Sequence, residues 1–161
     1  CETQHCVAVS SGTDALRFAL IAAGIGKGDI VVTVPNTFIA TTEAISQTGA
    51  ETEFIDVDEK TYNMDAEKLR EFLEQSCVFD AKTGKTLYSS TGKHVTAVVP
   101  VHLYGRMARL ERLRELCPGV PVIEVNPEAS RMAHLADVAL RGPAGEMLPR
   151  VDARLGEGVV G

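Results

Sequence analysis

Short apolar runs alternate with helix-like segments along the first 124 residues, and this alternation constrains the fold more than any other feature. Strands are predicted at 6–10, 30–34, 52–57, 95–101 and 120–124. Helices are predicted after residue 14 and at 37–48, 65–75 and 107–116. The strands are nearly continuous apolar runs, which is typical of parallel strands buried on both faces. The sequence therefore predicts an α/β fold with three layers, in which a mainly parallel sheet carries helices on both faces.

Two stretches break this alternation. Residues 78–94 contain closely spaced turn signals, which predict a surface hairpin or loop insertion. Beyond residue 124 the pattern fades: 129–140 is compatible with one more helix, and 142–161 shows no clear periodicity. We therefore expect a domain over 1–124 that carries the 78–94 insertion, followed by a divergent tail over 125–161. Because the chain opens on Cys1 and closes on an apolar stretch, we expect it to be a fragment.

Charge and cysteine content argue against several classes of function. The formal net charge of −6 opposes binding to nucleic acid or to an anionic membrane, since both need clustered lysine and arginine. No apolar run approaches the length that spans a bilayer. The four cysteines show no CxxC spacing and accompany no paired histidines, so no metal site is predicted. Free thiols in a cytoplasmic protein are expected instead.

The first candidate ligand site follows the strand at 6–10. Ser11, Gly12 and Thr13 stand where that strand gives way to a helix, and ligands of parallel sheets bind beyond the carboxyl ends of strands. A glycine permits close approach of the backbone, and the free N–H groups of a helix N-terminus attract phosphate. The same residue types are good helix caps, so spacing alone leaves both interpretations open. The segment matches neither GxGxxG nor a Walker loop, which disfavours a nucleotide-binding fold.

Two further candidate clusters follow later strands. Asn36, Thr37 and Phe38 come after the strand at 30–34. An aromatic ring at this place either stacks on a flat heterocyclic ligand or packs in the helix–sheet core. His102 and Tyr104 follow the strand at 95–101 and suit either a ligand contact or a capped loop. The residues alone do not decide between these alternatives.

A long part of the sequence resembles the DegT/DnrJ/EryC1/StrS family of sugar aminotransferases. The resemblance lies in HCVAVSSGTDALRFALIAAGIGKGDIVVTVPNTFIATTEAISQTGAETEFIDVDEKTYNMDAEKL, then in VTAVVPVHLYG and VPVIE. It covers about residues 3–124, interrupted by the 78–94 insertion. It implies the N-terminal part of an aspartate-aminotransferase-like large domain of fold type I, with pyridoxal 5′-phosphate (PLP) as cofactor.

The same resemblance assigns cofactor and substrate contacts to the candidate residues. It places the cofactor phosphate at the helix N-terminus, on Ser11, Gly12 and Thr13. It also implies that Phe38 stacks on the pyridine ring of the cofactor. The other residues of the cofactor pocket are Asn36 and Thr37, and the residues of the substrate side are His102 and Tyr104.

The chain departs from the family pattern at the residues that perform transamination. The chemistry needs an acidic group at the pyridine nitrogen and a lysine that forms a Schiff base with the cofactor. Val125 occupies the family's aspartate position, and Glu128 stands where the family has glutamine. The last lysine of the chain is Lys93, in the insertion. No catalytic residue is therefore assigned, and we expect an inactive chain with weak or absent PLP binding.

Two functions are compatible with this pattern. The first is a fragment of a homodimeric enzyme of nucleotide-sugar and polysaccharide biosynthesis, which transfers an amino group from a small amino donor to a keto-sugar nucleotide. The second is a non-catalytic relic, or a module that binds a phosphate-bearing ligand on the same fold.

Overall fold

The computed structural model describes residues 9–118, 123–125 and 138–140, the last six by their backbone. The chain divides into two units, one formed by Leu20–Pro118 and the other by Cys1–Ala19 with Gly119–Gly161. No helix among the described residues is long and apolar enough to cross a membrane.

The elements alternate along the chain largely as the sequence predicts. The helices are α1 (Gly12–Ala22), α2 (Ile39–Thr48), α3 (Ala66–Gln75) and α4 (Leu110–Leu116). The strands within Leu20–Pro118 are β1 (Asp29–Thr33), β2 (Glu51–Phe54), β3 (Cys77–Asp80), β4 (Lys85–Tyr88) and β5 (His94–Val98). The strands of the other unit are β6 (Ile123–Val125) and β7 (Val138–Leu140). Most of the strand predicted at 6–10 lies outside the described residues.

Five strands of the unit Leu20–Pro118 form one sheet in the order β2-β1-β5-β4-β3. β1 pairs in parallel with β2 and with β5. β4 pairs antiparallel with both β3 and β5. Most of the stretch at 78–94 thus lies in an antiparallel hairpin of β3 and β4, which extends the sheet through the pairing of β4 with β5. Its two antiparallel pairings stand beside the two parallel pairings of β1, so this sheet is mixed.

β1 is buried on both faces, as expected for a central parallel strand. One face carries Val31 and Thr33, both fully buried. The other face packs into a cluster with Leu69 of α3 and Leu113 of α4. β1 contributes Ile30 and Val32 to that cluster, and Val34, which follows the last residue of the strand, also belongs to it. The carboxyl end of β1, where the candidate loop begins, is thus fixed by core packing.

α3 shows why the sequence forms these helices at these places. The Asp65 carboxylate accepts hydrogen bonds from the backbone N–H groups of Glu67 (2.9 Å) and Lys68 (3.4 Å), which caps the helix start. Leu69 is fully buried one turn later. On the exposed side, Arg112 of α4 donates to the Glu67 carboxylate at 3.1 Å and ties the two helices together.

The prediction of a helix over 129–140 is wrong at its last three residues, and its remainder lies outside the described residues. Val138–Leu140 is a strand that pairs in parallel with Ile123–Val125. A short apolar run does not distinguish a strand from a buried helix by periodicity. The partner strand β6 decides the conformation here, and a local sequence pattern does not contain that information.

Candidate functional site

The carboxyl ends of β1 and β5 lie side by side at one edge of the sheet. Val99 follows β5 directly: its N–H donates to the Val32 carbonyl of β1 at 2.8 Å, and its carbonyl accepts from the Thr33 hydroxyl at 2.8 Å. The loops at 34–38 and 99–109 therefore leave the same edge, together with the connection at 55–65 that follows β2. This is the edge at which parallel strands bind ligands.

The loop after β1 presents an aromatic ring to solvent. Phe38 is 76% exposed and Ile39, the first residue of α2, is 67% exposed. Thr37 and Thr41 share a hydrogen bond of 2.9 Å between their hydroxyl oxygens, and Asn36 is exposed. Phe38 does not pack in the helix–sheet core, so its ring is available to a ligand. The assignment of these residues to a cofactor stays a prediction.

The loop after β5 holds the two residues predicted on the substrate side. The Ala108 N–H donates to Nδ1 of His102 at 3.1 Å, so the neutral imidazole carries its proton on Nε2. Tyr104 is 93% exposed and has a φ of 55°, within the left-handed region. His102 thus serves its own loop as a capping acceptor, while Tyr104 points away from the core. Their contact with substrate remains a prediction.

A buried asparagine that sequence reasoning missed organises this edge. Asn63 is 2% exposed. Its Oδ1 accepts from the Leu103 N–H at 3.1 Å, and its Nδ2 donates to the carbonyls of Arg106 (2.9 Å) and Met107 (3.1 Å). The sequence signal is weak, because an asparagine in a turn is ordinarily a solvated turn residue.

The turn that precedes Asn63 is held by a carboxylate. Asp58 accepts hydrogen bonds from the N–H groups of Lys60 (3.0 Å) and Thr61 (2.8 Å). Hydrogen bonds from the Thr61 side chain and then from its backbone lower the pKa of Asp58 below its usual range. Asp58 therefore stays ionised and acts as a fixed acceptor. Among the described residues, no group of three or more His, Cys, Asp and Glu could hold a metal ion.

The N-terminus of α1, in the other unit, carries the predicted phosphate residues. The Ser11 hydroxyl accepts from the Asp14 N–H at 3.1 Å, so Ser11 is a helix cap. Asp14 also accepts from the Ser10 hydroxyl and forms an ion pair with Arg17 at 3.0 Å. α1 begins at Gly12, so the N–H groups of its first residues have no acceptor one turn earlier within the helix.

Gly12 leaves space at this helix end. A Cβ built on Gly12 would meet no atom of the described residues within 4 Å, so the backbone leaves open space there. Gly12 and Thr13 open α1, and N–H groups at a helix N-terminus are donors that suit a phosphate group. The first turn also contains the Asp14 carboxylate, whose charge the Arg17 guanidinium offsets. The described residues thus fit the phosphate end of a cofactor, and the phosphate role of 11–13 stays a prediction.

Comparison with known proteins gives this geometry a context. The model of the DegT/DnrJ/EryC1/StrS aminotransferase family matches residues 1–134, past the domain boundary predicted at 124. The UDP-2-acetamido-2-deoxy-3-oxo-D-glucuronate aminotransferase of Pseudomonas aeruginosa is 33% identical over 123 residues, which are 75% of this chain and 29% of that protein.

Solved structures agree with this relationship. The DegT DnrJ EryC1 StrS aminotransferase from Brucella abortus superposes with a TM-score of 0.61 at 34% identity, over 76% of this chain and 30% of that one. NtdA from Bacillus subtilis with bound cofactor PMP gives a TM-score of 0.60 at 26% identity, over 83% of this chain and 28% of that one. The chain spans less than a third of the length of these three relatives. It belongs to the DegT/DnrJ/EryC1/StrS aminotransferase family.

Proposed function

We propose that this chain supplies part of the cofactor-binding surface of a PLP-dependent sugar aminotransferase. The observation that carries the proposal is Gly12, the first residue of α1, whose backbone faces open space at a helix N-terminus. Family membership and the PMP-bound relative support PLP as the ligand. The relative that acts on a 3-oxo sugar nucleotide supports a keto-sugar nucleotide as substrate of the parent enzyme, with a small amino donor.

Each candidate residue has a role within this proposal. The N–H groups of Gly12 and Thr13 bind the cofactor phosphate, since a helix N-terminus favours a dianion. The exposed ring of Phe38 stacks on the pyridine ring. The remaining residues are Asn36 and Thr37 beside the ring, and His102 and Tyr104 on the substrate side. Bound PLP supplies an electron sink that stabilises negative charge on a substrate carbon.

We further infer that the 161 residues alone do not catalyse transamination. The reaction needs a lysine that bonds covalently to the cofactor, and the last lysine in this sequence is Lys93. Lys93 forms an ion pair with Glu51, and Lys68 forms one with Asp56. Turnover of an amino donor by the purified chain would contradict this inference.

Assembly and location belong to the same proposal. A homodimeric parent enzyme is supported by the family resemblance. A cytoplasmic location is supported by the free thiols of Cys77 and Cys117, because disulfides are rare in that compartment.

A titration with two forms of the cofactor tests the phosphate role. Pyridoxamine 5′-phosphate (PMP) is the probe, because its amine does not form Schiff bases with surface lysines, and pyridoxamine is the same molecule without phosphate. We expect calorimetry to show weak PMP binding and weaker pyridoxamine binding. Gly12→Ala should weaken PMP binding by roughly tenfold, because a methyl group enters the phosphate space and hydrogen bonds to a charged group are worth about 1.5–3 kcal/mol.

The matched control is Gly26→Ala. Gly26 also lacks a positive φ, and among the described residues a Cβ there would meet the Thr48 carbonyl at 3.6 Å, an ordinary contact. This variant should leave PMP affinity unchanged. Gly12→Ala should also stabilise the fold by up to about 1 kcal/mol, since alanine favours a helix over glycine. Equal affinities of the wild-type chain for PMP and pyridoxamine would refute the phosphate assignment.

A further inference from the structure

Two tyrosines share an unusual backbone conformation. Among the described residues other than glycine, positive φ occurs at Tyr62 (58°) and Tyr104 (55°). This region is sterically unfavourable for a bulky side chain, and such residues persist only where the surroundings enforce them. Tyr62 is 54% exposed and Tyr104 is 93% exposed. Burial of their rings therefore does not offset the backbone strain.

Asn63 connects the two strained residues. It follows Tyr62 directly, and its side chain bonds to both ends of the segment 103–107, here called the 103–107 turn. The Oδ1 atom holds the Leu103 N–H, next to Tyr104, and both hydrogens of Nδ2 are used on the carbonyls that close the turn. The Asn63 carbonyl accepts from the Asp58 N–H at 3.0 Å, which fixes its own backbone.

Two further contacts brace the same arrangement from either side. Nη1 of Arg106 donates to the Lys60 carbonyl at 3.0 Å, so the two loops are joined a second time. The Ala108 N–H donates to Nδ1 of His102 at 3.1 Å and closes the turn around its outer ends. A buried amide is the centre of this network, so its loss leaves three polar groups without their partner.

We propose that Asn63 is a positioning residue for the substrate side of the site: it holds the 103–107 turn so that Tyr104 stands at the carboxyl edge of the sheet. The inference rests on the proposed function, since the substrate role of Tyr104 comes from there. Asn63 itself is buried and acts through the turn. Tyr62, the strained neighbour of Asn63, is fixed by the same interaction on the opposite loop.

Fluorine NMR of the chain labelled with 3-fluorotyrosine tests this inference. The sequence has three tyrosines, so the spectrum has three lines. The third, Tyr88, packs edge-on against Phe72 with ring centroids 5.2 Å apart and serves as internal reference. Asn63→Ala should shift and broaden the lines of Tyr62 and Tyr104 and leave that of Tyr88 in place. Ile45→Ala, at a fully buried position of α2, should lower stability without moving the lines.

Asn63→Asp adds a second measurement, the position of the Tyr104 line as a function of pH, which distinguishes a positioning role from a general loss of stability. At neutral pH the carboxylate faces two carbonyl oxygens, so the Tyr104 line should depart from its wild-type position. When protonated, the carboxyl group matches the amide in shape, donates to one carbonyl and accepts from the Leu103 N–H. Burial favours this neutral form. The Tyr104 line should therefore return toward its wild-type position as pH falls, while the line of Asn63→Ala should not.

The outcomes separate this inference from the proposed function. An unmoved Tyr104 line in Asn63→Ala, or an equal movement of all three lines, would overturn the positioning role whatever the cofactor titration shows. If the wild-type chain does not bind PMP but the Tyr62 and Tyr104 lines move as expected in Asn63→Ala, the proposed function is refuted. The positioning of the 103–107 turn by Asn63 is then still supported. If Asn63→Ala does not fold, the pH-dependent line of Asn63→Asp decides.

Discussion

Replacing Phe38 by alanine should weaken cofactor binding while it changes the stability of the fold only slightly. Phe38 is 76% exposed, so about a quarter of its surface is buried. Full burial of a phenylalanine side chain stabilises a fold by about 1.5–3 kcal/mol, and a quarter of that is about 0.4–0.8 kcal/mol. Phe38→Ala should therefore lower the free energy of unfolding by about 0.5 kcal/mol, far below the 3–5 kcal/mol that is typical of a core phenylalanine.

The same substitution should weaken cofactor binding measurably. An aromatic stacking contact is worth about 0.5–1.5 kcal/mol, which corresponds to a roughly two- to twelvefold rise in Kd. Calorimetric titration with PMP measures the affinity. Urea denaturation followed by circular dichroism measures the stability, since the chain contains no tryptophan for fluorescence.

Phe79→Ala is the matched control for this experiment. Phe79 lies on β3, away from the carboxyl ends of β1 and β5, and is 66% exposed. It should lose a similar small amount of stability and keep its PMP affinity. A stability loss above about 1.5 kcal/mol in Phe38→Ala would show that the ring is packed. Equal weakening of PMP binding in both variants would show that neither ring forms a specific contact.

Three further predictions concern the fold itself. Asp65→Ala removes the α3 cap and should lower stability by about 1 kcal/mol in urea denaturation; Glu71→Ala, exposed on the same helix, is the control, and equal midpoints would contradict the cap. Lowering pH from neutral should destabilise the chain, because the pKa of Asp58 is lowered in the folded state by its bonds to Thr61. That stabilisation is present above the pKa of Asp58 in the unfolded chain, about 4, and is lost as pH falls through its lower pKa in the folded chain. In Asp58→Asn the free energy of unfolding should fall less steeply as pH is lowered, and an unchanged dependence on pH would contradict this role of Asp58. Burial raises the pKa of the Cys77 thiol, so iodoacetamide should alkylate it much more slowly in the folded chain than in urea, and equal rates would contradict its burial.

The helices with strong local signals could be predicted closely from the sequence. The prediction of a helix at 65–75 differs from α3 only in that Asp65 is the cap residue before it. This works because an amphipathic stripe and a capping carboxylate are both local features. Strand ends are less local: the predicted strand at 95–101 ends at Val98 in the structure, where pairing with β1 stops.

Features that depend on distant partners escaped prediction. Nothing near residues 78–94 indicates that the hairpin pairs with β5, and nothing near Val138–Leu140 indicates β6 as a neighbour. Asn63 escaped for the same reason, because its side-chain bonds reach residues 40 to 44 positions away. The candidate residues at the strand ends followed from the alternation of strands and helices together with the family resemblance. Their roles await the titrations above.

The place of β1 between β2 and β5 has a consequence for the order in which the chain folds. Its pairing with β5 is braced by a hydrogen bond from Thr33 to a residue 66 positions later. The β3–β4 hairpin is local, and such hairpins form within about 1–10 μs. Pairing of β1 with β5 instead closes a long loop that contains every element between these two strands, and such non-local contacts slow folding. A growing chain on the ribosome has β1 with one open edge until residues 94–98 emerge. One edge of β1, an interior strand of the finished sheet, therefore stays unpaired during synthesis of the residues between β1 and β5, when contact with another chain competes with folding.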